Sequence, residues 1–194
     1  MSRRENADRR GRSRRPARPR LLVVCGAART EEQYLQGLRD SIPNRAVDIA
    51  ILKRPKDPAE VVRYAVQHAR RATGDFDEIW CVFDVDEFDI RPAQAEARRH
   101  DVHLGISNPC FEFWLLLHHD DCRNHLTGYQ QVVTRLRRFV PRYDKAELRF
   151  GDYAGGVQDA VTRARRLDRG PETCDNPSTG VWRLAERIMK EEGL

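Results

Sequence analysis

Two kinds of hydrophobic spacing alternate along the chain. Short apolar runs at residues 21–25, 47–52, 79–83 and 102–106 have strand length, and stretches with apolar positions three and four apart lie between them. That alternation predicts an α/β domain: a mainly parallel sheet with crossover helices. The third run, "EIWCVF", is apolar throughout after Glu78, as a strand covered on both faces requires. It ends in "DVDEFD".

The helical stretches carry their own punctuation. After the first strand, Thr30 is an N-cap candidate with Gln33 completing a capping box, and Tyr34, Leu35 and Leu38 share one face. In "DPAEVVRYAVQHARRATG", Asp57 is the expected N-cap, Pro58 takes the first helical position, Glu60 closes a capping box and Gly74 is the stop. A helix at 92–100 leads to the fourth strand. In "SNPCFEFWLLLHH", Ser107 or Asn108 is the expected cap, with Pro109 at the first position. The residues that follow are apolar nearly all round, which predicts a buried helix. Beyond residue 125 the pattern is helical at 129–140, 157–167 and 182–192, with "PETCDNPSTG" read as a loop.

Composition limits the classes open to such a chain. Its 194 residues suffice for one domain with a real core, and no apolar run approaches the roughly 20 residues of a membrane span. The net charge of +5 is unevenly divided: residues 1–20 hold nine arginines against Glu5 and Asp8, and the rest has 26 basic against 28 acidic residues. An arginine-rich segment with so few apolar side chains is expected to be a disordered tail over 1–19, ahead of a folded domain over 20–194. Such a tail suits the phosphates of a nucleic acid or serves as a solubilising leader. It lacks the apolar core of a secretory signal. Cys25, Cys81, Cys110, Cys122 and Cys174 form an odd set without a C-x-x-C pair, which points to reduced thiols in the cytoplasm.

The densest candidate chemistry follows the third strand. Asp84 and Asp86 stand two apart, so both carboxylates face one space at the carboxyl edge of the sheet, where open α/β folds build their sites. Two hard oxygen donors there suit Mg²⁺ or Mn²⁺, and Glu87 and Asp89 add to the acidity. The alternative is a solvated acidic loop. "HHDDCRNH", residues 118–125, lacks the ligand spacing of a structural zinc site and reads as a helix exit. No segment matches a P-loop, so nucleotide hydrolysis would fall to a partner.

Five stretches together resemble the RloB-like family: "RTEEQYL" (29–35), "FDEIWCVFDVDEF" (76–88), "SNPCFEFWLLLH" (107–118), "YDK" (143–145) and "NPSTGVWRL" (176–184). The resemblance implies a Toprim-like fold with a phosphotransfer site, in which a glutamate after the first strand is acid or base and the aspartates after the third hold Mg²⁺ or Mn²⁺. It also implies an effector of prokaryotic antiviral defence or abortive infection. Such effectors are paired with an ABC- or AAA-type ATPase and cut nucleic acid, with tRNA one candidate substrate.

The first motif of the family resembles C-E-G-x-x-T-E, which sets Gly26 where the glutamate belongs. Three alternatives follow. Glu31 or Glu32 supplies the carboxylate, favoured by the helix dipole; Glu112, in an otherwise apolar helix, supplies it; or the protein binds without cutting. A buried Glu112 needs a partner in any case. Lys145 is a candidate to meet phosphate charge. The leading expectation is a metal-dependent nuclease-like effector with Asp84 and Asp86 as metal ligands and Glu31, Glu112 and Lys145 as catalytic candidates. The alternative is a degenerate module that binds nucleic acid or an ATPase.

Overall fold

Leu21–Cys25 forms β1, and all five of its side chains are buried because strands flank it on both sides and helices cover both faces. In the computed structural model the described residues are 19–26, 29–42, 47–51, 57–73, 75–85, 88–170 and 174–190. Expectations that fall on 1–18, Leu52, Gly74, Asp86 and Glu87 lie outside them. The chain runs β1, α1 (Arg29–Asp40), β2 (Val47–Ile51), α2 (Pro58–Arg71), β3 (Glu78–Asp84), α3 (Arg91–His100) and β4 (Val102–Asn108). It continues through α4 (Glu112–Leu116), α5 (Tyr129–Leu136), two 3₁₀ turns, α6 (Val157–Leu167), β5 (Ser178–Thr179) and α7 (Val181–Met189).

The sheet order is β2-β1-β3-β4-β5. β1 pairs parallel with β2 and β3, β3 pairs parallel with β4, and β5 alone runs antiparallel, against the end of β4. The architecture is therefore the expected α/β sheet with crossover helices and a helical C-terminal part.

Alternating strand residues divide the core between two faces. Leu21, Val23, Cys25, Trp80 and Val82 join the larger cluster with residues of α1, α4, α5, α6 and α7. Leu22, Val24, Cys81 and Phe83 join the smaller one, with α2 and α3. The second layer is well punctuated: Asp57 accepts a 2.8 Å hydrogen bond from the Glu60 amide, and Pro58 opens α2.

Four local expectations are overturned. Thr30 lies inside α1, and its hydroxyl donates to the Lys145 carbonyl at 2.9 Å instead of capping the helix. Gln33 likewise forms no capping box; its amide bonds residues 146 and 148. Ser107 and Asn108 belong to β4, so the buried helix begins at Glu112 and has five residues. Neither caps it: the Ser107 hydroxyl pairs with that of Thr179, and the Asn108 amide donates to the Cys174 carbonyl. The supposed loop at 171–180 contains β5, whose two residues take up the free edge at the end of β4. Finally, α5 ends at Leu136 and α7 spans Val181–Met189, both shorter than the periodicity suggests.

Candidate functional site

Strand order creates the site. From β1 the chain crosses to β2 on one side, and from β3 it crosses to β4 on the other, so the segments leaving β1 and β3 diverge at their carboxyl ends. Gly26 follows β1 and Asp84 ends β3 at this switch point. The ladder continues there: the Gly26 amide donates to Val82 O at 2.9 Å, and the Val85 amide to Ser107 O at 2.9 Å.

Alternation puts Asp84 on the face of Trp80 and Val82, the face that also carries α1 and α4. α1 brings Glu31 there. This residue is 4% exposed, whereas Glu32 is partly exposed and accepts a hydrogen bond from Gln36 at 3.1 Å. α4 brings Glu112, 1% exposed. Its Oε1 accepts a 2.8 Å hydrogen bond from the Tyr143 hydroxyl and lies 3.8 Å from Lys145 Nζ. Its Oε2 is buried and accepts no hydrogen bond among the described residues.

Lys145 stands among these carboxylates, with its Nζ also 5.0 Å from the centre of the Tyr129 ring. Burial opposes its charge, but the fields of Glu112, then Glu31 and Asp84, outweigh that and hold its pKa above the ordinary lysine value. Carboxylates from α4, α1 and β3 thus all act on its charge.

The segment that carries Lys145 is anchored by α1. Besides the Thr30 bond, Gln33 Nε2 donates to Ala146 O at 3.2 Å, and the Leu148 amide donates to Gln33 Oε1 at 2.8 Å. These bonds set the lysine over the sheet edge.

The neighbouring thiols take no part as thiolates. Burial, then Glu112 and Asp84, push Cys110 far up; burial, then Glu31, does the same to Cys25. Both stay protonated, which leaves oxygen as the donor atom of the site. Carboxylate oxygens and an orphaned Glu112 Oε2 fit a hard divalent cation in donor chemistry. Among the described residues, however, no group of three or more His, Cys, Asp and Glu side chains is spaced to hold a metal ion. Asp86, the second expected ligand, lies outside them, and Asp89 is exposed and paired with Arg91 at 2.7 Å.

His118 belongs to the core. A carbonyl only accepts, so the 2.9 Å contact with Trp114 O places the proton on Nδ1, and Nε2 accepts from the Tyr34 hydroxyl at 2.9 Å. Burial lowers its pKa to about 3, so it is neutral at ordinary pH.

Position 26 is closed by packing. A β-carbon there would stand 3.1 Å from Phe83 Cβ and 3.3 Å from Val61 Cγ2, on the α2 side of the sheet. A larger side chain therefore requires those neighbours to shift. Tyr143 is the residue of this cluster that local pattern does not single out, although it lies within the "YDK" stretch.

A parallel α/β sheet with buried carboxylates and a lysine at its switch point defines the class: an acidic, oxygen-donor site on an open sheet. More particularly, the chain belongs to the RloB-like protein family, which matches residues 21–188. Comparison with curated proteins and with solved structures gives no match.

Proposed function

We propose that the protein is a Mg²⁺- or Mn²⁺-dependent nuclease-like effector of prokaryotic defence, with a Toprim-type site acting on RNA or DNA, tRNA among the candidates. The observation that carries this reading is the pairing of buried Glu112 with Lys145, 3.8 Å apart, on the sheet face that Glu31 and Asp84 share at the switch point. Membership of the RloB-like family, whose resemblance implies such effectors, supports the same reading; any nucleotide hydrolysis would fall to an ABC- or AAA-type partner, since the sequence matches no P-loop.

Asp84 and Asp86 would hold the cation, with Glu112 Oε2 as the third oxygen. Bound there, it would polarise a phosphoryl oxygen and lower the pKa of water. Tyr143 and Lys145 fix the Glu112 carboxylate through its other oxygen. Glu31, on the buried side of the first turn of α1, accepts the proton of the attacking water. The Lys145 ammonium meets the charge that grows on the phosphate oxygens. The basic residues of 1–20 add sequence-independent attraction to the backbone.

Gly26 favours a second reading, a module that binds nucleic acid or an ATPase without cutting. The glutamate that the resemblance implies is replaced by Gly26, and a β-carbon there would press on Phe83 and Val61.

Incubating the full chain with RNA and with DNA in Mg²⁺ or Mn²⁺ separates the two. The enzyme reading expects cleavage, its loss in the Asp84→Asn, Asp86→Asn double variant, and a fall of about 10²- to 10⁴-fold in Glu31→Gln. Cleavage that survives the double variant rejects the site, and binding without cleavage by the wild type selects the second reading.

A further inference from the structure

We infer that a surface cavity beside the carboxylate cluster receives one unstacked base of a single-stranded nucleic acid. This deepens the nuclease reading and rests on it in one respect: the base pocket lies next to the scissile phosphate.

The cavity has a volume of about 450 Å³, large enough for a nucleoside, and is walled by the chain between α5 and α6. Phe139 lines it while being 46% exposed. One face of that ring lies on His119, with centroids 5.5 Å apart and planes at 7°. The phenyl group is therefore supported from behind and held in one plane while much of its surface meets water. Water is a poor neighbour for such a ring, whereas a base stacks on it in a way that tolerates any sequence.

The polar lining suits the rest of a nucleotide. Arg142 and Arg149 line the cavity, and neither has a carboxylate within ion-pair distance among the described residues. They offer donors to a phosphate or to base acceptors. Asp144, Glu147 and Asp152, in the same wall, accept from base N–H groups, and they outnumber the two arginines. Lining of both signs fits a base, which carries donors and acceptors together, better than a bare polyanion.

Continuity with the site comes through Tyr143. Its residue lines the cavity, and its hydroxyl donates to Glu112 at 2.8 Å. A nucleotide seated on Phe139 thus sits one side chain away from the carboxylates. A base within a duplex is stacked on both faces and cannot enter without being flipped.

The test measures binding of the full chain, in EDTA and at about 0.2 M salt, where backbone attraction is weakened. The probes are a mixed-sequence single-stranded RNA decamer and the blunt duplex of the same sequence, read by fluorescence anisotropy. Phe139→Ala is expected to weaken the single strand by about 5- to 150-fold and leave the duplex within about twofold. Phe139→Trp is expected to keep the single-strand affinity, and circular dichroism checks that both variants fold. An unchanged single strand in Phe139→Ala, or an equal loss for strand and duplex, overturns the pocket. Because EDTA removes divalent cations, a failure of the metal site leaves this readout intact.

Discussion

Glu112 shows how one residue ties stability to chemistry. A carboxylate 1% exposed in an apolar helix must have partners, and the Tyr143 hydroxyl and the Lys145 ammonium both meet one of its oxygens. Removing the hydroxyl takes away that 2.8 Å hydrogen bond and leaves the oxygen to a half-exposed lysine. Tyr143→Phe is therefore expected to lower unfolding stability by about 1–3 kcal/mol. Urea unfolding should show this as a lower midpoint at unchanged slope; an unchanged midpoint would mean that the hydrogen bond contributes little. Much of this scale was legible in the sequence. The need for a Glu112 partner follows from its apolar neighbours, and Glu31 shares the i, i+3, i+4, i+7 stripe of Tyr34, Leu35 and Leu38, which explains why it is buried and Glu32 is less so. Tyr143 was not legible, because nothing near it in the chain indicates that its partner lies 31 residues away.

At the scale of elements, strands were easier to read than helix ends. β1 and β3 are central, and their continuous apolar runs follow from burial on both faces. Helix starts misled where a polar side chain found a distant partner. Thr30 and Gln33 have capping-box spacing, yet their hydrogen bonds go to residues 145, 146 and 148, more than a hundred positions away. The same conflict shortens α4, since Ser107 and Asn108 complete the pairing of β4 with β5. The strand β5, two residues long, is too short for any periodicity to show. One consequence is measurable: α1 acts as a clamp on the Lys145 segment. Gln33→Ala removes both amide bonds, and native-state hydrogen exchange at the Leu148 amide should quicken by about tenfold or more while β1 amides keep their protection. Equal protection at Leu148 in both proteins would show that the clamp lies elsewhere.

For the whole molecule, topology assembles the site. Glu31, Asp84, Glu112 and Lys145 are scattered over more than a hundred residues, and the order β2-β1-β3-β4 brings their elements to one edge. The apolar strand that Asp84 ends was legible in the sequence; which other carboxylates join that edge was not, because it depends on how α1 and α4 pack. Charge is likewise organised at this scale, with the excess of arginine confined to residues 1–20 and the remainder slightly acidic. On the proposed function, attraction to a polyanion and chemistry on its backbone would fall to different parts of the chain. The claim on which the account rests is that the acidic edge takes a divalent cation. Titrating the full-length protein with Mn²⁺ in a calorimeter tests it most directly. One ion per chain is expected, with affinity reduced at least about tenfold by Asp84→Asn and also by Glu112→Gln. No binding by the wild type, or binding that both variants leave unchanged, would contradict it.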